Sequence, residues 1–243
     1  MIRRSFTMFV ALIAVALASL LAPVASPAIA ASGAASVYVI HGIPGRDLGL
    51  RPRLPVDIAV NGACALQNFR FRDIAGPLSL PAGTYNIKIS LANRHNPCGN
   101  PAVIEANVPF AAGESATVIA HLSESGAPTA SKFVNDLSPA TGVGNGRVVA
   151  RHTAAVPEVD LLVRKNRHSP IIATLPGLSN GEQVSAELPI GQKFLVQFAP
   201  AGTTQAVAAA RIEACAGEVA IYHAVGSLKN RTFTVIPLYI PLH

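Results

Sequence analysis

The chain has no tryptophan and only 5% aromatic residues among its 243. Sugar-binding platforms stack their ligands on large aromatic faces, so this scarcity argues against one. Charge is also thin, 13% of residues with a formal net charge of +6. No Lys/Arg cluster interleaved with aromatic residues is present, so nucleic acid is not an expected partner. The diffuse positive balance permits weak attraction to an anionic cell-envelope polymer. No H-x-H or C-x-x-C ligand pair occurs, and no glycine-rich loop runs into a lysine-serine pair, so neither a metal nor a cofactor is expected. Imagined metal pairs such as His41 with His121, or His152 with His223, lack close ligand spacing.

The one long apolar run lies at the start. "MIRRSFTMFVALIAVALASLLAPVASPAIAASG" has Arg3 and Arg4, an apolar stretch from Phe9 to about Ala25, and small residues before Ala31. It reads as a secretory signal peptide over residues 1–30, cut before Ala31. The stretch is shorter than the roughly 20 residues a spanning helix needs and is interrupted at Pro23, so no membrane span is expected after cleavage. The expected location is secreted, or periplasmic within the cell envelope.

Three cysteines remain in an exported chain. Cys64 in "NGACALQ" and Cys98 in "NPCGN" sit in loop-like contexts, and a disulfide between them is the expected pairing. Such a loop closure is worth about 3–4 kcal/mol in the chain-entropy model. Cys215 is left over and reads as a small buried thiol.

Beyond the leader, apolar residues alternate with polar ones and are punctuated by glycine, proline and asparagine, the pattern of short strands. Seven are expected in the first half, over residues 36–41, 56–60, 76–80, 85–91, 103–110, 115–122 and 132–137. The second half repeats the first in four matched blocks, in order. "VYVIHGIPG" meets "VVARHTAAV", "LPVDIAVNG" meets "PEVDLLVRK", "LSLPAGTYNIKIS" meets "AELPIGQKFLVQF", and "AVIEANVPFAAGESATVIAH" meets "AVAAARIEACAGEVAIYHAV". The expected fold is all-β: two tandem immunoglobulin-like antiparallel β-sandwiches at 31–137 and 147–243, joined by a linker at 138–146.

These blocks resemble tandem copies of the bacterial family called domain of unknown function 4397. Its modules open on V-x-V-x-H, continue with P-x-V-D, and carry a later "LPAG" turn. The matching residues are His41, Pro55-Val56-Asp57 and Leu80-Pro81-Ala82-Gly83, then His152, Val159-Asp160 and Leu188-Pro189-Ile190-Gly191. The first copy departs by a longer connection between His41 and Asp57; in the second the proline is displaced to Pro157. The resemblance implies exported β-sandwich modules and assigns no activity.

His41 and His152 each extend an apolar stripe on a first strand and should sit at the core margin. A neutral imidazole there can donate to a backbone carbonyl, or to Asp57 or Asp160 on the neighbouring strand, so all four are expected to be framework residues. A hydrolase using a His/Asp pair would need a serine beside the imidazole, and "GESAT" at 113–117 is a superficial likeness to a nucleophile elbow. The loop inserted between His41 and Pro55, with Arg46, Arg51 and Arg53, is the candidate binding surface. The reading as a whole is a non-enzymatic binding or structural module of the envelope, with a surface protein or envelope polymer as partner. Its alternatives are an envelope hydrolase and a periplasmic small-ligand carrier.

Overall fold

A computed structural model describes residues 33–242, so the expected signal peptide lies outside the described residues. The first module holds β1 (Ala35–His41), β2 (Val56–Val60), β3 (Ala63–Phe69), β4 (Ile74–Leu80), β5 (Gly83–Leu91), β6 (Ala102–Phe110), β7 (Ser115–Leu122) and β8 (Pro128–Val134). The second holds β9 (Asn145–Ala155), β10 (Val159–Arg164), β11 (Ala173–Leu178), β12 (Gln183–Pro189), β13 (Lys193–Pro200), β14 (Ala208–Glu213), β15 (Glu218–Ser227) and β16 (Thr234–Pro241). Among the described residues one 3-10 turn, Gly45–Leu48, interrupts the strands.

The two-sandwich, all-β architecture expected from the repeat is present, and the duplication holds strand by strand. Sheets ordered β4-β1-β7-β8 and β3-β2-β5-β6 form the first module; β12-β9-β15-β16 and β11-β10-β13-β14 form the second. The sheets are not purely antiparallel, because β1 pairs with β7, and β9 with β15, in parallel. The first module has one strand more than the seven expected. The missed strand, β3, lies at a sheet edge with alternate residues exposed, and its small and polar side chains carry little apolar signal. Cys64 therefore lies in a strand, not a loop, and the last strand of the module ends at Val134 rather than continuing to Leu137.

Alternation along the strands fills each sandwich. Val37, Val118, Ala116, Val108 and Phe110 pack one end of the first interior, and Val56, Ile58, Phe69, Ile89 and Leu122 the other. Leu161, Val163, Phe194, Val196 and Phe198 centre the second. The intervening residues of β1, β7, β9 and β15 also turn away from solvent. Tyr38, Ile40, Ile119 and Phe133 of the first module meet Val149, Val219, Ile221, Val225, Ile236, Leu238 and Ile240 of the second in one apolar cluster. Sheets β4-β1-β7-β8 and β12-β9-β15-β16 thus pack face to face, and the described residues 33–242 lie within one compact unit. The connection after β8 is tied down as well, since the Thr141 and Gly142 amides donate to the Glu187 carboxylate on β12.

Ile221 is 1% exposed at the centre of this layer. Ile221→Ala should cost about 2–5 kcal/mol in urea denaturation. Calorimetry of the wild type should show both modules melting in one transition, whereas two separated transitions would mean that the layer does not couple them.

Candidate functional site

The two repeated histidines make the same bonds. His41 Nδ1 accepts the Ile43 amide at 3.2 Å while Nε2 donates to the Leu54 carbonyl at 2.8 Å. His152 Nδ1 accepts the Ala154 amide at 3.4 Å while Nε2 donates to the Pro157 carbonyl at 3.2 Å. In both cases the bonded carbonyl lies three residues before the aspartate of the next strand, so the imidazole latches the first strand to the entry of the second. Neither ring bonds its aspartate. Burial pushes both imidazoles below their ordinary value, only partly offset by these carbonyls, so each is neutral.

Asp57 and Asp160 instead clasp backbone. Asp57 accepts amides from Asn68, Asn93 and Cys98 at 2.9, 3.0 and 3.0 Å. Asp160 accepts those of Gly177 at 2.9 Å and Gly202 at 2.8 Å. Asn68 and Gly177 have left-handed backbone at the bulge where β3 and β11 shift register against β2 and β10. Burial alone would raise the Asp57 carboxyl, but its three amide donors outweigh it and hold the group below the usual carboxylate range. The disulfide joins Cys64 to Cys98, with Cα atoms 5.7 Å apart, and anchors the loop that supplies two of those donors. Cys215 is half-buried rather than buried, and burial together with Glu218 and Glu213 raises its thiol, which makes it a poor nucleophile.

Between the modules lies a polar group that strand alternation assigns to solvent. Arg151 is 1% exposed. Its guanidinium donates to Gln183 Oε1 at 2.9 Å, His223 Nε2 at 3.1 Å and Asn135 Oδ1 at 2.8 Å, and it lies 4.6 Å from the Phe133 ring centre. Its bonded partners carry no charge. Burial lowers the guanidinium to about 9, so it stays protonated at neutral pH. His223 donates from Nδ1 to the Ile236 carbonyl, and His121 accepts the Ser131 hydroxyl while donating to the Leu122 carbonyl. Burial lowers His223 to about 3, reinforced by Arg151, and His121 to about 4.

The imagined metal pairs do not form. The register partner of His41 is Ala120, so His121 emerges on the opposite face of its sheet, and the Ala224 partner of His152 places His223 likewise. Among the described residues no group of three potential ligands converges. The nearest match to a nucleophile elbow is not "GESAT" but Gly177-Leu178-Ser179-Asn180-Gly181. Ser179 lies in the turn between β11 and β12, no helix follows, and its hydroxyl donates to Glu158 at 3.1 Å. Both nitrogens of His152 are occupied elsewhere.

The inserted loop docks on the other module. Asp47 Oδ1 accepts Ser227 Oγ at 2.6 Å and Asn230 Nδ2 at 2.8 Å, and Oδ2 accepts Thr232 Oγ1 at 2.6 Å. The receiving hairpin turns over residues 228–231, and Gly226, near the end of β15, has a φ of +82° where a Cβ would lie 2.4 Å from the Thr232 carbonyl oxygen. Beside this clamp opens a cleft of about 560 Å³ lined by Arg46, Arg53, Arg72, Arg231 and Asp73, with Pro44, Pro52 and Phe71. Arg51 is not among its lining residues. Arg72 and Arg231 were not legible in the sequence, because only folding brings their turns to the inserted loop.

The family model for a domain of unknown function, DUF4397, matches residues 35–162, more than half of the chain. The chain belongs to the DUF4397 family. The DUF4397 match begins with β1 and runs through β9 into β10, so the likeness of the second module to the first rests on topology and on the repeated latch. No curated protein matches. Among solved structures, "The Bacillus anthracis TIE protein" is similar at 13% identity, over 80% of this chain and 34% of that one, with a TM-score of 0.26.

Two predictions follow the geometry of this DUF4397 chain. Asp57→Ala leaves three amides without their acceptor, each worth about 1–3 kcal/mol when unsatisfied, and should lower the urea midpoint more than Asp160→Ala, which frees two. The four buried histidines resist protonation when folded, whereas the unfolded chain takes up protons near 6.5. Stability is therefore fully present above pH 6.5 and lost as pH falls below it, by about 1.4 kcal/mol per pH unit for each histidine still neutral in the fold. Thermal midpoints at pH 7.5, 6.5, 5.5 and 4.5 should fall in that order, and a flat profile would contradict the assignment.

Proposed function

We propose that this protein is exported and serves the cell envelope as a non-enzymatic binding or structural module. The observation that carries the reading is that its chemistry-bearing interior is consumed by the fold. The nitrogens of His41, His121, His152 and His223 are all hydrogen-bonded within the framework, and Asp57 and Asp160 are occupied by backbone amides. Every imidazole nitrogen has a framework partner, and every oxygen of the two carboxylates accepts at least one backbone amide. The Cys64–Cys98 bridge and the leader sequence support an oxidising, extracytoplasmic location. Among the described residues no helix is long and apolar enough to cross a membrane. The apolar voids inside the sandwiches, about 130 Å³ in the first and 40 Å³ in the second, fall short of the roughly 300–1,000 Å³ of ligand pockets, which weighs against a carrier.

Fractionation of cells expressing the full chain, followed by N-terminal sequencing, should find it outside the cytoplasm and beginning at Ala31. The purified chain should turn over no member of an esterase, amidase and glycosidase panel. An uncut cytoplasmic chain defeats the export reading. Turnover that disappears in Ser179→Ala without a change in melting temperature defeats the non-enzymatic one.

A further inference from the structure

We propose that the cleft at the module junction is a binding site for a polyanion, a ligand carrying several closely spaced phosphate or carboxylate groups. This deepens the binding reading above and rests on it. Four exposed guanidinium groups border one opening, three from the first module and Arg231 from the second. Among the described residues the ion pairs are Lys88–Glu105, Lys132–Glu114, Arg147–Asp136 and Lys193–Glu213, so none of the four is held by a carboxylate within 4.0 Å. Asp73 accepts the Arg70 amide and Asp47 carries the clamp, and both keep their negative charge, so the four guanidinium groups outnumber the two carboxylates beside them and the opening stays net positive. Gathering unpaired like charges is unfavourable unless a counter-charge arrives, and a guanidinium fork suits phosphate or carboxylate oxygens through paired N–H donors.

The cleft is also held in shape before any ligand enters. Arg53 precedes Leu54, whose carbonyl is fixed by the buried His41 ring, and the Arg53 carbonyl accepts the Phe71 amide at 2.8 Å. The next amide, that of Arg72, donates to the His41 carbonyl at 2.8 Å. Arg46 sits beside the Asp47 clamp, and Arg231 lies in the hairpin that the clamp grips. Arg72 and Arg231 both have left-handed backbone, at φ of 75° and 55°, which non-glycine residues adopt at a cost. Pro44, Pro52 and Phe71 supply apolar walls. The connection from His152 to Asp160 in the second module lacks the insertion, so the cleft is built on the first module's loop and needs Arg231 of the second to complete its lining.

Titration calorimetry of the chain from Ala31 onward with sodium tripolyphosphate in low-salt buffer tests this. Saturable one-to-one binding is expected, weakening as NaCl is raised, with a higher melting temperature because the ligand bridges the modules. Arg46→Glu with Arg231→Glu should reduce affinity by at least about 10-fold, and Arg46→Gln alone by about threefold. Arg94→Glu with Arg167→Glu makes the same change in net charge away from the cleft and should leave affinity close to wild type. A parallel titration with citrate distinguishes a carboxylate ligand from a phosphate one, and tighter binding of either supports the site. No binding of either anion, or equal loss in both double variants, overturns it. In that case export and absence of turnover still leave the framework reading standing, whereas Ser179-dependent turnover removes that reading and leaves this cleft untouched.

Discussion

The face-to-face packing of sheets β4-β1-β7-β8 and β12-β9-β15-β16 is the constraint on which the molecule depends. It turns two sandwiches into a stack of four sheets, whose two central layers are shielded on both sides. An interior of that kind can tolerate the Arg151 charge only because every arm of the guanidinium meets a neutral acceptor and an aromatic face lies alongside. The arrangement is demanding in register: Asn135 from the end of the first module, Gln183 from β12 and His223 from β15 must arrive together. A hydrophobic layer alone would hold the modules without fixing how they sit; a buried cation with specific acceptors admits few alternatives.

Much of this architecture was legible in the chain. Period-two alternation and turn residues identified most strands, and preservation of four blocks in order identified the duplication. The cysteine pair was legible because Cys64 and Cys98 fall in the first module and the third cysteine, Cys215, in the second. What escaped did so for physical reasons. Strand β3 is an edge with small and polar side chains, so alternation is faint there. Arg151 sits at an outward position of β9 by strand alternation, and nothing local indicates that the outward face of one module is the inward face of a pair. Asp47 appeared as part of a polar insertion, although its three partners lie in the hairpin after β15.

The repeated histidine and aspartate were recognised as framework, but their division of labour was not. The imidazole ties a strand end to the next strand entry, and the carboxylate gathers amides from a bulge and a distant loop. The parallel use in both copies, with three amides on Asp57 and two on Asp160, gives the recurring His and Asp a shared place in the fold. The same device reaches the surface in the first copy alone, because the carbonyl that His41 grips belongs to the residue next to Arg53.

The Asp47 clamp has a further consequence for how the chain must be assembled. Its acceptor atoms belong to an early loop, and its donors, Ser227, Asn230 and Thr232, lie near the opposite end of the sequence. A polypeptide made from its N-terminus presents the loop long before the hairpin that receives it. The junction closes only once the segment after β15 has been made, which makes it a non-local step in folding with a sequence separation far larger than that of any strand hairpin.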